Sequence, residues 1–147
     1  MRNLSLVLDL RLDDQLCFAL YAASRATTKA YREALDDLGL TYPQYLVMLV
    51  LWEQDGATVG ELGARLRLDS GTLSPLLARL DSAGLVVRSR PARDTRLVLV
   101  HLTDAGRGLR SQAERVQCSL LERLQMPTDE IEVLHRLARR LASSLSD

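Results

Sequence analysis

Lysine is nearly absent from this chain. Lys29 is the only one among 19 basic residues, so the cationic surface is built from arginine, whose planar fork suits phosphate and guanine. A GC-rich coding bias gives the same enrichment, so the placement of the arginines counts for more than their number. Cysteine is scarce as well. Two cysteines in 147 residues do not make the disulfide framework of a small secreted domain; each is a buried small hydrophobe or a redox-active thiol. The two histidines, His101 and His135, show no ligand spacing with each other or with the cysteines, which argues against a zinc centre. No metal and no cofactor is expected. No apolar run approaches the roughly 20 residues of a membrane span, so no membrane association is expected. The N-terminal stretch MRNLSLVLDLRLDD places Asp9, Asp13 and Asp14 where a signal peptide would be apolar and lacks a small-residue cleavage site. The expectation is a cytoplasmic, unprocessed protein.

Net charge is also lacking: 19 acidic residues balance the 19 basic ones. The total is mild evidence against a nucleic-acid binder. Its distribution says the opposite. Residues 63–96 hold seven arginines against three aspartates, a local balance of +4. With 47% hydrophobic and 26% charged residues, the chain is that of an ordinary globular domain with a real core.

The pattern is helical except in one place. Asp13 or Asp14 can cap a long first helix that Gly39 ends. Thr41-Tyr-Pro-Gln44 and Thr58-Val-Gly-Glu61 are capping-box patterns opening a second and a third helix. Asp69 or Ser70 caps a fourth, with Leu73, Leu76, Leu77 and Leu80 on one buried face, and Gly84 ends it. The period then changes. LVVRSR (85–90) and RLVLVHL (96–102) flank the turn-rich PARDT, which predicts a hairpin with a charged tip. Thr103-Asp104 caps a long helix reaching about Gln125, and Pro127-Thr128 starts a last one with an apolar stripe of Ile131, Leu134, Leu137, Leu141 and Leu145. The fold class is therefore mostly α with a small β-hairpin, a winged helix-turn-helix. Within a single unit of residues 1–147, residues 41–102 form the DNA-binding region. Residues 1–40 and 103–147 carry more apolar surface than one small domain buries, and are expected to form a dimer interface.

Two constellations carry chemistry. The first is Cys17, followed by Tyr21, Tyr31 and Tyr42. A phenol hydroxyl is a good donor to a thiolate, and a stabilised thiolate reacts with peroxides. Cys17, Tyr21, Ser24, Thr28 and Tyr31 follow helical spacing and form one line along the first helix. Cys17 and Tyr31 are then roughly 21 Å apart within one straight helix. They can meet only across an antiparallel two-fold pairing, so the site requires a homodimer. The plainer reading makes Cys17 core and the tyrosines interface packing. Tyr21 is a third donor or a packing residue, and Tyr45 falls on the core face with Met48 and Leu49.

The second constellation is the DNA face. The recognition helix of such a motif enters the major groove with its N-terminal residues leading, here Ser70, Thr72, Ser74 and Pro75, with Arg79 one turn on. Arg93 and Arg96 flank the wing tip and would reach the minor groove or its phosphates. Arg88 and Arg90 alternate along one strand, so both can face DNA. Arg65 and Arg67 contact backbone or merely solvate the short helix. The plainer reading is a solvated charged hairpin on an interaction module.

On Cys17 with Tyr31 and Tyr42, on LDSGTLSPLLARLDSAGLVVRSR (68–90), on the wing RDTR (93–96) and on VHLTDAG (100–106), the chain resembles the MarR family of transcription regulators. Within it, the resemblance is to the organic hydroperoxide resistance regulators of the two-cysteine type, over nearly the whole chain. That resemblance implies a homodimeric repressor that leaves a double-stranded, pseudo-palindromic operator when organic hydroperoxides oxidise Cys17. It implies that Tyr31 and Tyr42 bond the sensor from the partner subunit, that Cys118 in the long helix after the wing is a second redox cysteine, and that Asp94 braces a wing arginine. An alternative is a MarR-type repressor released by a small phenolic or other non-oxidant ligand. A thiol peroxidase fails on organisation, because Cys17 has no βαβ context and there is no CxxC.

Overall fold

The computed structural model of the protein describes residues 10–146; the reading of the N-terminal stretch as unprocessed falls, up to residue 9, outside them. A 3-10 turn, Leu12–Asp14, leads into α1 (Leu16–Leu35), and a second, Asp36–Leu38, leads out of it to Gly39. There follow α2 (Tyr42–Glu53), β1 (Ala57–Thr58), α3 (Val59–Leu66), α4 (Ser70–Ser82), β2 (Val86–Ser89), β3 (Leu99–Leu102), α5 (Asp104–Gly108), α6 (Arg110–Arg123) and α7 (Thr128–Ser144).

The capping signals act where the sequence places them. The Thr41 hydroxyl accepts from the Gln44 amide at 3.3 Å while the Gln44 side chain accepts from the Thr41 amide at 2.9 Å. Thr58 and Glu61 make the same reciprocal pair at 3.1 and 2.7 Å. Asp69 accepts from the Thr72 amide at 2.7 Å and opens α4. Each closes orphan donors at a helix start. Gly39 and Gly84 take left-handed backbone at φ 65 and 73, the conformation that ends a helix at little cost to glycine.

Two expectations need correction, and a third is extended. Neither Asp13 nor Asp14 caps α1: both lie in the preceding 3-10 turn, and Gln15 holds the N-cap position without a capping side-chain bond. The helix after the wing is not continuous. Thr103 caps only the five residues of α5, which include Gly106 and Gly108, and the chain re-forms a helix at Arg110. Two glycines in five residues weaken helical continuity. The expected hairpin forms from β2 and β3, and one more strand joins it. β1 adds to β3 through Ala57 opposite Val100, giving a three-stranded sheet in the order β1-β3-β2, with Val86 opposite Leu102 and Ser89 opposite Leu99. Residues 90–98 lie outside the strands.

The core sits inside the winged unit. Leu62, Leu73, Leu77, Leu80, Val86 and Val100 meet Val47, Met48 and Leu51 of α2 and Leu35 at the end of α1. All four expected leucines of α4 meet the core, Leu73, Leu77 and Leu80 fully buried and Leu76 partly buried and packed against it. The two ends of the chain are different. α7 buries nothing, and Leu134 and Leu137 are 49% and 50% exposed. Leu16, Phe18 and Tyr21 of α1 are exposed as well. Large apolar faces of this kind mark an interaction surface. No helix among the described residues is long and apolar enough to cross a membrane.

Candidate thiol site and DNA-binding face

Cys17 stands in the first turn of α1, free and exposed. Tyr21, one turn on, is exposed too, with the Arg25 guanidinium 5.4 Å from its ring centroid. Tyr31 lies three turns further, half-buried, in a different setting. Its ring packs on Tyr42 at 5.0 Å and on Tyr45 at 5.6 Å. The capping box fixes the start of α2 and so puts Tyr42 at the first helical position, facing α1. Tyr42 and Tyr45 are 6.3 Å apart, and Tyr45 continues to Trp52 at 6.4 Å. Tyr31 and Tyr42 are thus brought together in one chain, while Cys17 is held along the same continuous helix as Tyr31, too far off to reach it. Tyr45 is core, at 2% exposure.

Burial raises the pKa of Tyr31, with a smaller push from Tyr42, and burial raises that of Tyr42. Tyr45 is pushed up to about 12, by burial first and then by Tyr31 and Tyr42. Each phenol therefore stays protonated, and a donor, beyond the usual tyrosine range. Between pH 10.0 and about 12 the unfolded chain gives up the Tyr45 proton while the folded chain keeps it, so stability falls as pH rises through that window and is complete below it. Thermal unfolding followed against pH should show this loss, and Tyr45→Phe should reduce its slope. An identical slope in the variant would remove Tyr45 as a source.

Cys118, on α6, is also free and exposed. α1 and α6 pack antiparallel: one cleft brings Ala26 and Tyr31 against Leu120 and Leu124, and a second brings Glu33 and Leu38 against Gln112 and Val116. An ion pair of 3.5 Å joins Glu33 to Arg123 across the same seam. This register puts Cys118 within about one turn of Tyr31 along α1. Cys17 of the same chain is then roughly 20 Å or more away, far beyond the reach of a disulfide. Leu120 and Ala113 are the buried face of α6. Cys118 is two residues from Leu120, which turns it to the opposite face.

The DNA face is built on the exposed side of α4. Ser70, Thr72, Ser74, Pro75 and Arg79 are all exposed, while Leu73, Leu77 and Leu80 anchor the other side. Pro75 sits inside α4 and has no amide to give the Gly71 carbonyl. The arginines divide into two groups. The guanidinium groups of Arg79 and Arg93 make no ion pair or hydrogen bond among the described residues. The others are committed. Arg88 pairs with Asp81 at 2.9 Å, Arg90 donates to the Thr95 carbonyl at 2.8 Å, and Asp94 accepts from both the amide and the guanidinium of Arg96 at 3.1 Å. The Arg96 bonds hold the Asp94 carboxyl below its ordinary range, the side-chain bond more than the amide. Arg88, Arg90 and Arg96 line one cleft of about 420 Å³ with Thr58 and Ser74. Arg65 pairs with Glu53 at 2.7 Å, and Arg67, at φ 55, donates to Ser146 and Ser143 at 3.0 and 3.3 Å. Arg67 thereby ties the turn between α3 and α4 to the end of α7.

A profile of the transcriptional regulators SarA/Rot matches residues 29–112. The chain is similar to the HTH-type transcriptional regulator TtmR of Methylorubrum extorquens, at 57% identity over 103 residues, 70% of this chain and 53% of that protein. The match spans about half the length of TtmR. It is similar over 92% of both chains to the organic hydroperoxide resistance transcriptional regulator of Bacillus subtilis, at 41% identity. Among solved structures it resembles AbfR of Staphylococcus epidermidis. Reduced AbfR bound to DNA gives a TM-score of 0.77 at 36% identity, covering 94% of this chain and 96% of that one. Disulfide-formed AbfR gives 0.68 at 35%, covering 90% and 93%.

Proposed function

The chain belongs to the MarR- and SarA/Rot-type family of transcriptional regulators, and from that premise we propose that it is a redox-sensing, DNA-binding repressor that organic hydroperoxides switch off. It works in the cytoplasm as a homodimer on a double-stranded, pseudo-palindromic operator. The exposed apolar faces of α1 and α7 form the dimer interface, and Ser70, Thr72, Ser74, Pro75, Arg79 and the wing arginines meet DNA. A relative with the same architecture has been solved on DNA in the reduced state and separately as a disulfide.

The observation that carries this reading is the common level of Tyr31, Tyr42 and Cys118, at a place that Cys17 of the same chain cannot reach. Antiparallel pairing of two α1 helices brings the partner's Cys17 to that level, where two phenols stand ready to donate. The Cys17 thiolate attacks a peroxide oxygen, giving a sulfenic acid and releasing the alcohol once the alkoxide takes up a proton. The Cys118 thiol then displaces water from the sulfenic acid and closes a disulfide. Cys118 lies on the far face of α6 from Tyr31, so Cys17 must leave the phenols to reach it. Closing the bond therefore moves the helices, and the spacing of the two winged units changes with them.

The test is a gel shift with one equivalent of alkyl hydroperoxide, with mass spectrometry of both cysteines. Release with Cys17 oxidised supports the reading; release with Cys17 untouched removes it. The two-cysteine step makes its own prediction. Oxidised wild type should run as a covalent dimer on a non-reducing gel, and Cys118→Ser should stay a monomer carrying a sulfenic acid or a small-thiol adduct. An intrachain link in wild type would overturn the intersubunit assignment. Release by a small phenolic or other non-oxidant ligand has one feature in its favour, a cleft of about 180 Å³ lined by Tyr45, Leu49, Trp52 and Ala113. Such a repressor would ignore the hydroperoxide.

The wing gives a further expectation. Asp94→Ala deletes a negative charge from the DNA face, so simple electrostatics predicts tighter binding. The bonds from Asp94 to Arg96 predict weaker binding, because Arg96 loses the acceptor that holds it in place. Titration against operator at several salt concentrations should show weaker binding with a nearly unchanged salt slope, since the count of phosphate-neutralising charges is the same. Tighter binding would end the bracing role.

A further inference from the structure

Trp52 stands between the two halves of the mechanism. On one side its ring meets Tyr45 at 6.4 Å, and Tyr45 meets both Tyr31 and Tyr42. On the other side its indole N–H donates to the Gly106 carbonyl in α5 at 2.9 Å. Gly106 is pressed against the Leu85 carbonyl so closely that a Cβ there would come within 2.1 Å of it. Next to it, Thr103 donates to the same Leu85 carbonyl through its amide at 3.1 Å and to the Gly84 carbonyl through its hydroxyl at 2.6 Å. Gly84 and Leu85 are the corner that joins the recognition helix α4 to the first strand of the wing. A row of four aromatic rings thus runs from the thiol-binding phenols to a clasp on the root of both DNA-contacting elements.

We propose that Trp52 is the positioning residue that couples the thiol site to the DNA-binding face, through its bond to the Gly106 carbonyl. The inference rests on the thiol reading above. While Tyr31 and Tyr42 hold the partner's thiolate, the ring stack keeps Trp52 in place and the clasp sets the angle of α4 and the wing. When the thiol leaves, the stack relaxes, the indole bond is lost, and the corner is free to turn. Close-packed rings transmit such a shift because they have few alternative packings.

Trp52→Phe keeps a ring in the stack and removes the donor. Operator affinity is measured for reduced and for hydroperoxide-treated protein, with the rate of Cys17 oxidation followed in parallel. In wild type the two affinities should differ by the usual coupling range, on the order of 5–150-fold. In Trp52→Phe, Cys17 should oxidise at the wild-type rate. The reduced form should bind about fivefold more weakly, the change expected of one neutral hydrogen bond, and the oxidised form should bind as wild type does, so the ratio contracts. A merely structural role would weaken both forms alike and leave the ratio unchanged, which overturns the proposal. If wild type itself is not released by oxidation, the thiol reading fails and takes the coupling with it. A second measurement needs no variant at Trp52. It is the only tryptophan in the chain, so its emission should change when wild type is oxidised and stay constant in Cys17→Ser. Operator release without a change in emission overturns the coupling.

Discussion

Cys17→Ser should bind the operator as tightly as wild type and stay bound at any concentration of organic hydroperoxide that releases wild type. Both halves of this result follow from where Cys17 stands. Within its own chain the side chain is exposed at the first turn of α1 and outside the core, so exchanging sulfur for oxygen removes no contact there. Surface substitutions of this kind fall within about 0.5 kcal/mol, which is roughly a twofold change in affinity. The response, by contrast, depends on a thiolate as the nucleophile, and a serine hydroxyl does not attack a peroxide at neutral pH. Tyr31 and Tyr42 of the partner subunit can donate to the serine oxygen as they would to the thiolate, so the ring stack stays as in the reduced protein. Cys118 also remains, exposed and free. The variant therefore asks whether Cys118 alone can sense, since it lies on the face of α6 turned away from the phenols. Operator release of Cys17→Ser by hydroperoxide, scored by gel shift, would move the sensor to Cys118 and end the assignment made here.

Local chemistry was the readable part of this sequence. Thr41, Thr58, Asp69 and Thr103 cap the helices they announce because a side-chain oxygen reaching an amide three residues on depends on near neighbours alone. Distant neighbours were not readable. β1 is two residues long, too short for any alternating pattern, and exists because Ala57 and Thr58 find an open edge on β3. The close packing of Gly106 on the Leu85 carbonyl was not readable either. The candidate site divides in the same way. Spacing along one helix was enough to separate Cys17 from Tyr31 within one chain; the second subunit that would bring them together belongs to the proposal. The antiparallel register of α1 on α6, which sets Cys118 level with Tyr31, needed the tertiary structure. So did Trp52, whose role depends on a carbonyl 54 residues away.

Gly106→Ala should cost more stability than alanine at any other glycine of this fold. Gly106 is buried in α5 and its φ is not in the left-handed region. Helix propensity alone therefore predicts a gain of about 1 kcal/mol for alanine. Packing predicts the reverse. The added Cβ would lie 2.1 Å from the Leu85 carbonyl oxygen, 3.1 Å from its carbon and 3.3 Å from the Leu102 side chain. A flexible side chain could swing aside, but the nearest atom is backbone. That carbonyl accepts from the Thr103 amide at 3.1 Å, and the next residue, Val86, is fully buried and paired with Leu102. Relief requires moving α5 away from the corner of α4 and the wing, which stretches the Trp52 bond as well. Overpacking of this kind costs about 3 kcal/mol or more, roughly 10 °C in melting temperature for a chain of this size. Gly108, two residues on in the same helix, has nothing within 4 Å of its own added Cβ. Gly108→Ala should be neutral or stabilising by up to about 1 kcal/mol. The pair separates the two effects, because propensity moves both variants the same way and only the Leu85 contact distinguishes them. Equal melting temperatures for Gly106→Ala and Gly108→Ala would mean that α5 does not press on the corner between recognition helix and wing.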